Sequence, residues 1–414
     1  MAVLAQKPLQ NYIPALTGVR ALAAYLVFIS HYAYVFDENF PRAVQRFLNE
    51  FHIGVTIFFV LSGFLIAFRY FDSFKLTGPW FRQYLKNRVA RIYPMYFLLT
   101  LGAFVSYHYT HDPKITGGYS NATGLFFMHI TFVRGFFDQL KFTGIAQGWS
   151  LTVEECFYFS APFIFYFAQR YRKFYIQPIV ITCFGVLLVL MFRNVDWHGF
   201  FGNFTFMMLY TFLGRCFEFF AGIQLALIVR KKQLTGTAKS KYTYLGFVLI
   251  FVCVGIMSVL PIPKNEVAGL HNPLGIITNN YLLAASIALF FYGLLTEATT
   301  IKKILSNKFV ELLGKSSYIF YLIHLGYMYD FLHNYFNKWN DQVFDLYDKW
   351  GVDWVSPFQY DSLNVLYGFI ILNGVSIALF KLIEEPLNHY IRKSNFLIKN
   401  APRNPDNDSG AIKA

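Results

Sequence analysis

The fold is decided by the stretch LTGVRALAAYLVFISHY, residues 16–32, which lies within an apolar segment from Ala15 to Val35. About 20 apolar residues in a helix cross the hydrocarbon core of a bilayer. The segment nevertheless holds Arg20 and His31, and ionisable groups inside a membrane helix are costly unless they have a role. Eleven residues make almost three helical turns and climb roughly 16 Å, so both side chains share one face at different depths. The pattern predicts a long substrate, held at a charged end and reacting at a distant end.

The composition is typical of a polytopic membrane protein. Of the 414 residues, 56% are hydrophobic and 20% are aromatic, a balance that few soluble domains have. The net charge of +13 is spread between hydrophobic spans, which favours a membrane protein over one that binds nucleic acid. The four cysteines fall inside apolar segments without paired spacing, so we expect core residues rather than disulfides or metal ligands.

Apolar windows of about 17–25 residues predict ten helices that cross the bilayer. They lie at 15–36, 53–70, 92–110, 149–169, 174–192, 208–229, 243–260, 279–296, 313–334 and 363–383. The segment 122–136 is too short and too interrupted for a span, and we expect it to be re-entrant or interfacial. We therefore predict an all-α polytopic transmembrane bundle of about ten spans around a central polar cavity.

The connecting loops alternate in charge. One set carries clusters of Lys and Arg, and the last loop of the opposite set, 335–362, carries five aspartates. The positive-inside rule places the basic loops and both termini in the cytoplasm. The basic clusters lie at 75–91, 170–173, 230–241 and 302–308.

The chain divides into a membrane domain, residues 1–394, and a polar tail, residues 395–414. The tail is rich in Pro, Asn, Asp, Ser and Gly, and we expect it to be disordered in the cytoplasm. No secretory signal peptide is evident before the first span, so we expect that span to be retained as an anchor.

Arg88 and Arg91 lie at the predicted cytoplasmic mouth of the third span. Their i, i+3 spacing places both guanidinium groups on one helical face, where they can bind one polyanion. Arginines at a membrane edge are also common topology anchors. The similar depth of Arg20 favours the anion site.

Glu154 opens the fourth span within Trp149-Ser150-Leu151-Thr152-Val153-Glu154-Glu155. We expect Glu154 to reach a depth similar to that of His31. A carboxylate beside an imidazole raises its basicity and fixes its tautomer. A glutamate at a span end also has a simpler explanation as an interfacial residue.

Four further polar residues are predicted to line the cavity, and each also has a structural explanation. They are Ser62, Trp149, Ser150 and His324. Ser62-Gly63 also suggests a close-packing point between helices, and the i, i+3 pair Arg215 and Glu218 could neutralise one another. We find no zinc-protease, phosphate-loop or nucleophile-elbow motif, and we expect no metal.

The chain resembles the integral-membrane acyltransferase family 3, which includes O-acetylases of lipopolysaccharide, exopolysaccharide and peptidoglycan. A last stretch, IEEPLN (383–388), has Glu385 where the family has lysine. The other matching stretches are LTGVRALAAYLVFISHY (16–32), IFFVLSGFLIAFR (57–69), NRVARIYPMYF (87–97), WSLTVEECFYFSAP (149–162) and SYIFYLIHLGY (317–327).

The resemblance implies a membrane-bound O-acyltransferase, in a bacterial inner membrane, that takes an acyl group, usually acetyl, from cytoplasmic acyl-CoA. The group passes to a hydroxyl of a cell-surface glycan or lipid-linked sugar. Arg20 and His31 would be the paired essential residues of the first span, and Arg88 and Arg91 would match the basic motif. Glu154 would match the glutamate of the fourth span. Some relatives carry a hydrolase-like domain after the membrane part, and we expect acceptor capture here to rest on the membrane domain or a partner.

Several interpretations remain open. His31 can act as a general base on the acceptor hydroxyl or carry the acyl group as an acyl-imidazole. A competing function is a transporter or exporter of a glycan or small molecule, because intramembrane Arg, His and Glu residues also serve substrate pathways. A transporter would be expected to have inverted repeats or broken helices, and neither is clear in the sequence.

Overall fold

A computed structural model describes residues 12–36, 40–195, 197–231, 241–264, 266–352 and 354–394. The predicted tail, 395–414, lies outside the described residues. The described part of the chain is built of α-helices and contains no β-strand, which confirms the predicted fold class. The helices are α1 (Pro14–Tyr32), α2 (Arg42–Asn49), α3 (Gly54–Tyr70), α4 (Gly78–Thr110), α5 (Pro113–Thr116), α6 (Ala122–Ile130), α7 (Gly148–Tyr171), α8 (Gln177–Phe192), α9 (Phe204–Tyr210), α10 (Phe212–Lys231), α11 (Tyr242–Val259), α12 (Pro273–Ile277), α13 (Ala284–Thr296), α14 (Thr300–Leu305), α15 (Lys308–Ile323), α16 (Tyr327–Trp350), α17 (Asp361–Leu379) and α18 (Glu385–Lys393).

Short turns of other helix types link or extend several of these elements. π-Helical turns join α12 to α13 and α17 to α18, so that each pair forms one longer rod. The π-helical turns are Thr278–Leu283 and Phe380–Glu384, and the 3₁₀ turns are Ala33–Phe36, Glu50–Ile53, Val133–Phe136 and Gly269–His271.

Within the described residues, seven helical rods are long and apolar enough to cross a membrane, so the protein is a multi-pass integral membrane protein. Two other predicted spans are helices that miss one requirement: α7 is long but interrupted by polar residues, and α8 has only 16 residues. The seven rods are Pro14–Val35, Arg42–Tyr70, Gly78–Thr110, Phe204–Lys231, Tyr242–Val259, Pro273–Thr296 and Asp361–Lys393.

The predicted span 313–334 is not one helix, because the chain breaks between α15 and α16. Gly326 has φ +83° at this break, in the left-handed region that favours glycine. α15 therefore ends just before His324, whose backbone carbonyl accepts a hydrogen bond from the Tyr32 hydroxyl at 2.7 Å. The break places His324 beside the C-terminal end of α1.

α3 and α10 approach each other closely at a glycine. A Cβ atom at Gly63 would meet the backbone carbonyl of Phe219 on α10, which confirms the predicted close-packing point. The segment 122–136 forms α6 and a 3₁₀ turn, in agreement with its exclusion from the spans. The four cysteines are free, and Cys183 is exposed on α8 rather than placed in the core.

Candidate functional site

Two groups of ionisable side chains lie at different levels of α1. We name Arg20, Arg69, Arg88, Arg91 and Arg392 the arginine cluster, and His31 and His324 the histidine pair. Arg20 is the seventh residue of α1, and His31 lies in its last turn. The structure therefore keeps the separation along one helix that the sequence predicted.

Arg91 forms the ion pair of the arginine cluster. Its Nη1 atom donates to Oε1 of Glu384 at 2.7 Å, and Glu384 is buried. This partner was not predicted from the sequence, because Arg91 and Glu384 lie 293 positions apart. Glu385 instead pairs with Lys381 at the surface, at 2.9 Å.

Arg88 lies between two tyrosine rings. Its guanidinium carbon is 5.6 Å from the ring centroids of both Tyr70 and Tyr158, a cation–π arrangement. Its Nη2 atom donates to the Tyr70 hydroxyl at 3.4 Å. The Nε atoms of Arg88 and Arg20 are buried without a hydrogen-bond partner among the described residues. Buried hydrogen-bond donors normally have partners. These two N–H groups are therefore available to donate to a bound anion.

Two arginines that sequence reasoning did not select also belong to the cluster. Arg69 and Arg392 are exposed and lie within electrostatic range of Arg88 and Arg91. Arg69 ends the stretch IFFVLSGFLIAFR, and Arg392 lies in the last described helix. Because these two residues are far apart in the sequence, their positions did not predict that both lie near Arg88 and Arg91. Together the five guanidinium groups form a strongly basic surface suited to phosphate groups.

Glu154 lies at the level of Arg20 rather than of His31. Its Oε1 atom accepts hydrogen bonds from the hydroxyls of Ser62 and Tyr158, and Arg20 is within electrostatic range. The expected match in depth with His31 is therefore wrong. Glu154 is the seventh residue of α7, about 9 Å below its first residue, whereas His31 lies at the end of α1.

His31 is exposed, and its ring nitrogens make no hydrogen bond to any described residue. Its ring centroid lies 5.5 Å from that of His324. His324 is fully buried, and its Nδ1 atom lies 2.8 Å from the Tyr321 carbonyl. Because a carbonyl only accepts hydrogen bonds, Nδ1 carries the proton and the unpartnered Nε2 of His324 is an acceptor.

The remaining predicted cavity residues link the two levels. Ser150 lies 2.8 Å from the Tyr321 hydroxyl, oxygen to oxygen, and the Tyr321 ring is 5.7 Å from that of His324. Trp149 precedes Ser150 on α7 and is half-buried. The polar side chains between the arginine cluster and the histidine pair thus come from α3, α7 and α15.

The face of α1 between Arg20 and His31 is packed. Ala24 and Val27, which lie on this face, are both buried in the core. An apolar cleft of about 180 Å³ opens on another side of α1, between α3, α11 and α13, and neither Arg20 nor His31 lines it.

Arg215 and Glu218 form the buried ion pair that their spacing predicted, with Nε and Oε1 2.8 Å apart. Arg215 also donates to Thr56 on α3, so the pair joins two helices. Among the described residues, no group of three or more His, Cys, Asp or Glu side chains has an arrangement that could hold a metal ion.

Comparison with known proteins identifies a family and several relatives. A family model described as an acyltransferase domain matches residues 13–379. The acyltransferase MdmB of Streptomyces mycarofaciens is 26% identical over 334 residues, which cover 75% of this chain and 78% of that protein. No solved structure matches.

Two relatives are longer than this chain. A protein of Staphylococcus aureus strain COL, named as an O-acetyltransferase, is 25% identical over 79% of this chain and 52% of its own length. A protein of Bacillus subtilis strain 168, named as a peptidoglycan O-acetyltransferase, is 26% identical over 59% of this chain and 39% of its own length. The match thus spans about half or less of these two proteins.

Proposed function

This chain belongs to the acyltransferase family matched over residues 13–379, and we propose that it transfers an acyl group, most often acetyl, from cytoplasmic acyl-CoA to a glycan hydroxyl. The acceptor is a cell-surface or lipid-linked glycan at the outer face of a bacterial inner membrane. One observation carries the proposal: among the described residues, α1 joins a basic cluster with unpartnered buried donors to the His31 imidazole, which makes no hydrogen bond. The names of two relatives, as O-acetyltransferases, support the acetyl group, and the name of the Bacillus subtilis relative, as a peptidoglycan O-acetyltransferase, supports the glycan.

The arginine cluster is the proposed donor site. Arg20, Arg88 and Arg91 would bind the phosphates of acyl-CoA through charge-assisted hydrogen bonds. The unpartnered Nε atoms of Arg20 and Arg88 supply donors for phosphate oxygens. The positive-inside rule places these residues on the cytoplasmic side, where acyl-CoA is found.

The path for the acyl-bearing arm runs beside α3, α7 and α15. Ser62, Glu154, Ser150 and Tyr321 provide polar groups along it. We assign Glu154 to this path, where it balances the charge of Arg20 and positions the arm, because its bonds to Ser62 and Tyr158 hold it away from His31.

His31 is the proposed catalytic residue, by one of two routes. As a general base it takes the acceptor proton while the acceptor oxygen attacks the thioester carbonyl. The carbon–sulfur bond breaks, and the CoA thiolate takes the proton from the imidazolium. In the covalent route the unprotonated imidazole nitrogen attacks the thioester carbonyl first, the carbon–sulfur bond breaks, and the CoA thiolate takes the proton of the other ring nitrogen. The acceptor oxygen then attacks the acyl-imidazole, the carbon–nitrogen bond breaks, and the released imidazole takes the acceptor proton.

A transfer assay tests this function. The purified full-length protein is incubated with acetyl-CoA labelled in the acetyl group and with the glycan fraction from the envelope of host cells that lack the gene. We expect alkali-labile label on the glycan with the wild type and none with His31→Ala. Label on CoA alone, with glycan transport into vesicles, would instead support an exporter.

Donor chain length is tested in the same assay. Palmitoyl-CoA replaces acetyl-CoA at equal concentration, and we expect acetyl transfer to be faster. A faster transfer of the long chain would overturn the acetyl assignment while leaving acyl transfer in place.

A further inference from the structure

We infer that Phe142, Trp149 and Tyr210 form a surface on which a sugar ring of the acceptor rests, with Lys141, Glu266 and His271 as hydroxyl-binding partners. We name these six residues the aromatic cluster. The inference deepens the proposed function and rests on it, since it assigns where the glycan binds.

The rings of the aromatic cluster meet edge to face. The Tyr210 ring lies 4.9 Å from Trp149 and 5.5 Å from Phe142, centroid to centroid, with interplanar angles of 72° and 84°. Phe142 is 49% exposed, and the other two rings are half-buried. Partly exposed aromatic faces can cover the apolar carbon–hydrogen face of a sugar and remove it from water.

Polar groups surround these rings. The Tyr210 hydroxyl lies 3.1 Å from Nε2 of His271, and Oε2 of Glu266 is 3.2 Å from the same nitrogen. The Lys141 ammonium lies 5.0 Å from the Tyr210 ring centroid. A few polar groups set around an apolar surface fix the orientation of a ligand, and sugar hydroxyls can bond to each of them.

His271 lies outside the membrane-spanning rods, in a 3₁₀ turn before α12. Burial lowers the pKa of His271, although the neighbouring Glu266 acts to raise it. Nε2 of His271 faces the acceptor Oε2 of Glu266 and therefore carries a proton, and Nδ1 is buried without a hydrogen-bond partner among the described residues.

The aromatic cluster is connected to His31 by neighbouring side chains. Trp149 is followed by Ser150, whose hydroxyl meets that of Tyr321. The Tyr321 ring lies 5.7 Å from His324, which lies 5.5 Å from His31. A glycan resting on Tyr210 and Trp149 is thus placed next to the path that ends at the reactive imidazole.

A second connection between the aromatic cluster and the histidine pair runs through His52. His52, in the 3₁₀ turn before α3, is within electrostatic range of both His271 and His31. The aromatic cluster and the histidine pair therefore belong to one end of the molecule.

The charged groups argue against lipid as the occupant of this surface. Exposed aromatic residues are also common where a protein meets lipid headgroups. However, Lys141 lies over the Phe142 and Tyr210 rings and pairs with Asp138, and Glu266 contacts His271. Ionised side chains are costly against acyl chains. A polar ligand with an apolar face, as a sugar has, fits both kinds of group.

Retention on immobilised glycan tests the site without any acyl donor. The glycan fraction from the envelope of gene-deleted host cells is coupled to resin, and the detergent-solubilised full-length protein is passed over it. We expect Tyr210→Ala and His271→Ala each to weaken retention about tenfold. Tyr210→Phe keeps the ring and should reduce retention less than Tyr210→Ala does. The matched control is Tyr244→Ala, which changes an exposed tyrosine on α11.

The retention assay and the transfer assay together distinguish failure of the glycan site from failure of the proposed function. Equal retention of wild type, Tyr210→Ala and His271→Ala, with all variants monodisperse in size-exclusion chromatography, would overturn the site, as would a wild type that is not retained. If the wild type is retained and Tyr210→Ala is not, but labelled acetyl-CoA transfers no acetyl group, the binding site stands and the proposed function fails. If Tyr210→Ala does not fold, Tyr210→Phe and His271→Ala decide the matter.

Discussion

The arginine cluster and the histidine pair lie at different levels of α1 and differ in how their polar atoms are satisfied. In the arginine cluster, Arg91 is already paired with buried Glu384, and Arg88 is held by two tyrosine rings. In the histidine pair, His31 has no hydrogen bond within the described part of the chain, and Nε2 of His324 has no partner. The first arrangement suits binding of a charged group, and the second leaves ring nitrogens available for proton or acyl transfer.

The sharpest test of this comparison is His31→Ala. If the histidine pair performs the chemistry, transfer falls by about 10²–10⁴-fold, the usual contribution of a general base. Binding of CoA, measured by titration of the purified protein, is expected to stay within twofold of the wild type. Retained transfer by His31→Ala would remove His31 from the reaction.

The double variant Arg88→Ala with Arg91→Ala tests the arginine cluster. We expect the dissociation constant for CoA to rise by about 10–100-fold, since each charged hydrogen bond contributes about 1.5–3 kcal/mol and part of that is screened by water. Turnover of bound donor should change less. Arg82→Ala, an exposed arginine on the same helix, is the control, and an unchanged CoA affinity in the double variant would make these arginines topology anchors.

His324→Gln separates the two histidines. His324 lies beside His31. If it acts through His31, we expect kcat to fall about tenfold while the dissociation constant for CoA stays the same. His333→Gln, on α16, is the matched control. A parallel loss of CoA binding and thermal stability in His324→Gln would assign His324 to packing alone.

The smallest effect is on stability. Glu384→Gln leaves Arg91 without its buried partner, and we expect a loss of about 2–3 kcal/mol, below the range for a fully buried pair because Arg91 is partly exposed. Glu385→Gln removes only the surface pair with Lys381 and should cost less than about 1 kcal/mol. Thermal unfolding in detergent measures both, and equal losses would contradict the assignment of Glu384.

The sequence predicted the helical class and the separation of Arg20 from His31 because both follow from local patterns. The length of an apolar stretch and the 3.6-residue period of a helix can both be recognised within one short segment of sequence. The break after α15 was missed, because it depends on Gly326 and on the distant bond between Tyr32 and His324. The apolar pattern continued through that break.

The depth of Glu154 and the partner of Arg91 were missed for a related reason. The level at which one helix faces another depends on where each helix begins and on tertiary contacts. Ser62 and Tyr158 hold Glu154, and Glu384 reaches Arg91 from the far end of the chain. Neither relation leaves a periodic signal in the sequence.

The bond from the Tyr32 hydroxyl to the His324 carbonyl has a consequence for how the protein tolerates changing lipids. Tyr32 follows His31, so one hydrogen bond ties together the chain segments that carry both imidazoles. If a thicker or thinner bilayer tilts α1, the end of α15 is drawn along with it. The spacing of the two rings would then vary little as cells adjust their lipids to temperature.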